Sequence, residues 1–360
     1  MRFLARGVEQ YGFLADGKRV VYVSKTEGLV AISPDGNDKR VLSTLPVAHF
    51  TAGRDVVVFS TTDKRVFAVS AVGGRSIELA KECCESGGAM RITPDGTSVV
   101  LRRRGAPPNV VSIRGGTERP FLDVDDALYW FTADGRVVYQ GATRHAMIRD
   151  LLGGTPRDLT PALPRTEVYE IVEGTAFVTV ENTPYLAPFV GDPVRLPAEM
   201  RLAVPGIAGR GRGFAFWDRQ NNLLFVDAKS RRTYRVNRPL SGDEVAGSWA
   251  STKDAIVYTI QSSPAGARDS ELRLGLLDSQ RDHALARIPN GDAIIQTTPD
   301  DRFAVVYAES GERRATFAIS LADRRVVRVT PIDKRLVGYA KTGERHALVT
   351  RGGDLHIIDL

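Results

Sequence analysis

The stretch Leu101 to Asn109, LRRRGAPPN, sets three consecutive arginines, Arg102, Arg103 and Arg104, at the end of an apolar run. Guanidinium groups pair bidentately with carboxylate or phosphate, and alternation along an extended chain lets at most two of the three share a surface. The same chemistry recurs at Arg144 with His145, at Arg219, at Arg268, at Arg313 with Arg314, and at Arg351. Together these residues would draw an acidic polypeptide or another polyanion. The plainer alternative is that they are solvated loop residues beside neighbouring Asp and Glu. Trp217 in FAFWDRQNN and Tyr185 in ENTPYLAPF read either as partner anchors, since aromatics concentrate binding energy at interface centres, or as covers on the edge of a packed core.

Catalytic and metal chemistry have less to stand on. The five histidines, His49, His145, His283, His346 and His356, show none of the i,i+4 or cysteine-linked spacings of metal sites. No catalytic residue, metal or cofactor is therefore expected. Asp16, Asp95, Asp134 and Asp300 form a recurring row of carboxylates, but each occupies a turn position where local backbone bonding accounts for it. Cys83 and Cys84 are the only cysteines; the pair is an incomplete soft-metal site and reads as free thiols on or beneath a loop. Basic residues are interleaved with acidic ones, 49 against 43 for a net charge of +6, which argues against a nucleic-acid module. No run approaches the ~18 apolar residues of a membrane span. The chain reads as cytoplasmic, or as periplasmic or extracellular if a signal or anchor has been removed.

The elements that must carry these residues repeat. FLADGKRVVYVSKTEGLVAISPDGNDKRVL, FTAGRDVVVFSTTDKRVFAVSAVGGRSIEL, ITPDGTSVVLRRRGAPPNVVSIRGGTERPFL and FTADGRVVYQGATRHAMIRDLLGGTPRDLT align on one pattern of turn, strand, loop, strand, turn, strand. Their turns lie roughly 35 to 47 residues apart, the spacing of propeller blades. Strands such as RVVYV, DVVVF and AIVYT are β-branched and aromatic, suited to a pleated surface. Asp-Gly at 16–17, 95–96 and 134–135 is expected to reverse the chain tightly between first and second strands, both residues tolerating positive φ. Gly-Gly at 73–74, 115–116 and 153–154 does so before the fourth.

A lone four-stranded meander cannot hide both faces, so stacked copies are expected. The reading is an all-β protein, one β-propeller domain over 1–360 with nine or eight four-stranded antiparallel blades. Their approximate bounds are 13–42, 50–79, 89–122, 128–160, 168–196, 205–236, 245–288, 292–330 and 336–360. The last copy offers three strands, and Met1 to Ala5 is expected to supply its fourth. Tyr129 and Trp249 fall in first strands, and the longest loop is QSSPAGARDSE at 261–271.

The SPDG and TPDG turns followed by an apolar strand, with Gly-Gly before the outer strand, resemble the TolB-like and WD-like β-propeller repeats of bacteria. The chain departs from WD repeats in lacking their Trp-Asp and Gly-His dipeptides. The resemblance implies a module that binds protein or peptide, and the arginines favour an acidic partner. A hydrolase, lyase or small-ligand binder using the central channel is the alternative. No GxSxG elbow of an appended hydrolase is present. Second-to-third loops and inter-blade connections should share one face, which carries the variable insertions and is the expected binding face. The oligomeric state is left open.

Overall fold

The computed structural model describes residues 1–83, 89–125, 128–151, 153–172, 174–197, 206–242, 244–262, 269–277, 281–288, 292–310, 313–328, 330, 336–342 and 346–360. These residues form nine four-stranded antiparallel sheets, and the chain is an all-β, nine-bladed β-propeller. Blades 1 to 8 span residues 8–43, 47–80, 90–120, 129–158, 167–195, 206–235, 244–288 and 292–328. In each, four strands follow one another in sequence order. The ninth takes Leu336–Thr342, His346–Arg351 and Asp354–Asp359, and its fourth strand is Arg2–Ala5. The N-terminal strand is in register with the C-terminal one, Arg2 facing Ile357, Phe3 facing His356 and Ala5 facing Leu355, as the missing strand of the last copy predicted.

Two compact units divide the chain, Met1–Phe131 with His346–Asp359 and Thr132–Arg345 with Leu360. In the first, the second strand of blade 2, Val56–Thr61, shows why its sequence is a continuous apolar run rather than an alternating one. Val56 and Val58 pack toward Met90, Val99 and Leu101 of blade 3. Val57 and Phe59 pack toward Val21, Val23 and Leu29 of blade 1. Both faces are buried, so both parities must be apolar, and each such side chain contributes about 1.5–3 kcal/mol of transfer free energy. The closing blade follows suit, with Leu348, Leu355 and Ile357 packing with Val20, Tyr22, Leu4 and Ala5. In the second unit, Ile256, Tyr258 and Ile260 join the cluster of Phe225 and Trp217, while Ala255 and Val257 join that of Ile295 and Val306.

The turns repeat a side-chain clamp that spacing alone does not reveal. Thr93 Oγ1 donates to Asp95 Oδ1 (2.5 Å) and accepts the amide of Ser98 (3.1 Å), while Asp95 Oδ1 accepts the amide of Thr97 (3.1 Å). Thr132 with Asp134, and Thr298 with Asp300, repeat the first of these bonds. The tight two-residue reversal with both residues at positive φ is corrected here: in these Asp-Gly turns only the glycine has positive φ, Gly17 at 69°, Gly96 at 70° and Gly135 at 80°. Each glycine amide bonds back three residues, as from Gly96 to Thr93 O (2.8 Å). The result is a type I turn closed by one left-handed residue. In blade 8 that residue is Asp301, at φ 58°. Its carboxylate accepts Arg210 Nε (2.6 Å) and the Lys253 amide (3.0 Å), bonds a glycine would forgo.

Blade 5 carries Pro184 and Pro188 within its third strand, Thr183–Pro188. The carbonyl of Pro184 accepts the Leu196 amide (2.9 Å), so this residue's backbone points toward the fourth strand, Val194–Arg195, which is two residues long. A missing N–H costs little beside so short a neighbour.

Candidate functional site

A cleft of about 690 Å³ lies in the first unit. It opens where the first-to-second turns of blades 1 to 3 gather, at Ala15, Gly53 to Asp55 and Thr93 to Gly96. Its apolar lining comes from Ala52, Val56, Ile92, Ile113 and Phe131, and its charged rim from Arg54, Asp55, Arg91 and Asp95. Ile92, Ile113 and Phe131 are half-buried, whereas Arg54, Asp55, Arg91 and Asp95 are exposed. Thr93, Thr97 and backbone amides hold Asp95 below the usual carboxylate range, Thr93 most strongly. Sequence reasoning favoured the opposite end of the sheets because insertions collect there. The cleft arises instead where short turns leave the ends of the first strands uncovered, a feature of packing with no signature in loop length.

The arginines singled out in the sequence have separate surroundings. Arg103 is committed within blade 3, its two terminal nitrogens donating to the two oxygens of Glu118 at 2.7 and 2.8 Å. That bond, with one from Asn109, holds the Glu118 carboxyl below its ordinary range despite partial burial. His145 Nδ1 lies 2.6 Å from Asp158 Oδ2, and Asp158 Oδ1 accepts the Thr160 amide (2.7 Å). Arg314 donates to Glu309 (2.9 Å). Arg102 is half-buried; Arg104, Arg219 and Arg313 are exposed, and Arg351 is half-buried. Arg268 lies outside the described residues, as does most of the 261–271 loop.

Trp217 is 3% exposed, donates Nε1–H to Gly247 O (3.2 Å) and meets Tyr258 edge-on at 6.0 Å, which is the core-covering alternative. Tyr185 is half-buried on the third strand of blade 5, facing Val178 and Arg195. Cys83 is buried at 1% exposure and disulfide-bonded, correcting the reading of free thiols; Cys84 lies outside the described residues. The turn aspartates bond as their positions implied, Asp16 Oδ1 accepting the Lys18 amide at 3.0 Å. No group of three or more His, Cys, Asp or Glu side chains is arranged to hold a metal among the described residues.

Sequence reasoning missed two recurring fasteners. Polar side-chain ties join the third-strand side of a blade to its outer strand: the ion pairs of Lys39 with Glu27 in blade 1, Arg65 with Glu78 in blade 2 and Arg273 with Asp282 (2.9 Å) in blade 7, and the hydrogen bond between His145 and Asp158 in blade 4. An outer strand has one hydrogen-bonded neighbour, so a side-chain tie supplements a single ladder. A polar residue just past the outer strand also accepts a backbone amide near the start of the third strand. Thr160 takes that of Ala146 (3.1 Å), Asn237 that of Leu223 (2.7 Å) and Thr330 that of Thr316 (2.7 Å). The signal was present as the recurring DLTP, RVNRP and RVTP endings.

No family model matches the chain, and no curated protein matches it. Among solved structures it is similar to an oligogalacturonate lyase in complex with manganese, at 12% identity and a TM-score of 0.50, with 99% of this chain and 98% of that one covered. It is also similar to the tricorn protease, at 12% identity and a TM-score of 0.47, with 98% of this chain covered. This chain spans 42% of the length of that protease chain. A TolB-assigned protein from Agrobacterium tumefaciens matches at 15% identity and a TM-score of 0.37, over 61% of this chain and 86% of that one. The likeness to the lyase is one of β-propeller fold. No helix among the described residues is long and apolar enough to cross a membrane.

Proposed function

We propose that this propeller is a non-catalytic platform that binds a protein or peptide, and that the turn-face cleft of the first unit is where an extended segment docks. The supporting observation is the pairing of an apolar floor, Ile92, Ile113 and Phe131, with the exposed Arg54 at its rim. Apolar floors with a few polar groups at the edge fix both affinity and orientation, and Arg54 favours an acidic residue beside the apolar anchors. A preformed cleft on a sheet scaffold also limits the ordering cost of binding.

The experiment is affinity capture from the source organism, followed by titration of the captured partner against variants. Arg54→Glu with Ile113→Ala should weaken binding at least about tenfold, the loss of one apolar anchor plus a reversed charge. Arg104→Glu with Arg313→Glu probes the loop-rich face and should leave affinity within about twofold. A loss confined to the second pair moves the binding surface to the loop-rich face. Unchanged affinity in both pairs removes the platform reading for these surfaces.

A further inference from the structure

Tyr129 lies on the first strand of blade 4, 4% exposed, and its hydroxyl has no hydrogen-bond partner among the described residues. Phe121 and Phe131 hold the ring edge-on at centroid distances of 5.5 and 5.4 Å, which fixes its position and gives the hydroxyl nothing to donate to. A buried hydroxyl left unpaired is costly. Its retention asks for an acceptor.

Two cations stand beside it. Arg91, on the first strand of blade 3, donates Nη1–H to the Tyr129 carbonyl oxygen (2.8 Å), and its guanidinium lies 5.2 Å over the Tyr129 ring. Arg102 extends the second strand of the same blade by one bond, from its amide to Ala89 O (2.7 Å). Since Arg91 faces Val100 and Met90 faces Leu101, Arg102 stands opposite Ala89 and shares a sheet face with Arg91. The other face carries Met90, Val99 and Leu101 into the core shared with blade 2. Neither guanidinium forms an ion pair among the described residues, in contrast to Arg103 and Glu118. Burial pushes the Tyr129 hydroxyl up to about 12, while the nearby charges of Arg91 and Arg102 pull against it.

We propose that Arg91, Arg102 and the Tyr129 hydroxyl, all within the first unit, form a site for an oxyanion, a carboxylate or a phosphate group. Two guanidiniums supply forked N–H donors and the charge that holds the anion, and the phenol supplies a third donor from below. Arg91 is exposed and covers the ring, so its rotation opens the way to the hydroxyl. The site goes beyond peptide docking: a small free anion is sufficient to fill it.

Titration calorimetry with inorganic phosphate and, separately, with acetate tests this, at constant ionic strength with chloride as the balancing ion. Wild-type protein should bind at least one of them, and the tighter of the two names the source of the oxyanion. Arg102→Gln and Tyr129→Phe should each weaken that binding about tenfold or more, as losing a hydrogen bond to a charged group does. Tyr129→Phe should keep or raise the melting temperature, because it removes an unpaired buried hydroxyl and no packing. Ile113→Ala, on the floor of the peptide cleft whose rim shares Arg91 with this site, should leave anion binding unchanged, so failure of peptide docking and failure of the anion site are distinguishable. Wild-type protein that binds neither anion, or variants that bind as well as wild type, would overturn the proposal.

Discussion

At the scale of residues, the contrast between Arg102 and Arg103 is the most informative. Neighbours in sequence and equal in chemistry, they differ in commitment: Arg103 chelates the Glu118 carboxylate, whereas Arg102 forms no ion pair among the described residues. Arginine composition was legible from the sequence; commitment was not, because it depends on which carboxylate the fold brings within 3 Å. Arg103→Gln should destabilise the protein by about 0.5–1 kcal/mol at pH 7, given a partly exposed bidentate pair. Glu118 is held below its unfolded value, so its contribution is full above the unfolded pKa of about 4.3 and fades as pH falls through the folded one. Denaturant titrations of both proteins should therefore differ most at neutral pH and converge in acid. A gap that widens in acid would show that the pair is not what the substitution removes.

At the scale of elements, turns and strands were largely readable and the fasteners were not. Strand positions follow from β-branched runs, and the glycines from their turn positions. The hydroxyl of Thr93 needed the structure, because threonine in a turn has several local bonds open to it. Two substitutions in one turn separate its parts. Thr93→Val removes a buried hydroxyl that makes bonds at 2.5, 3.0 and 3.1 Å and should cost about 1–3 kcal/mol. Gly96→Ala meets nothing within 4 Å but sits at φ +70°, so conformation alone should cost about 1–2 kcal/mol. Equilibrium unfolding that finds Thr93→Val neutral would leave the clamp without an energetic role. The prolines of blade 5 mark a limit of pattern reading: proline inside a strand pattern argues against a strand, yet a two-residue outer strand makes them tolerable.

At the scale of the molecule, the number of sheets and the terminal pairing could be read from the repeat because a ninth copy with three strands leaves one strand wanting. The candidate cleft could not, since it arises from how strand ends of separate blades meet. Deleting residues 1–5 should expose the edge of Asp354–Asp359 and uncover Leu348 and Ile357, which pack with Leu4 and Ala5. A lowered melting temperature together with concentration-dependent self-association is expected, since an opened edge recruits strands from other chains. Sedimentation of the truncated protein checks it; a monomer of unchanged stability would mean the N-terminal strand is ornamental.

The seam between Arg2–Ala5 and Asp354–Asp359 also has a temporal side. During synthesis Arg2–Ala5 must wait, unmatched, until Asp354–Asp359 has left the ribosome. Contacts so distant in sequence form late and slowly. Earlier blades can collapse pairwise as they emerge, but the latch waits for Asp354–Asp359, and a nascent chain stalled short of Asp354 would present a vacancy that any passing β-strand could occupy.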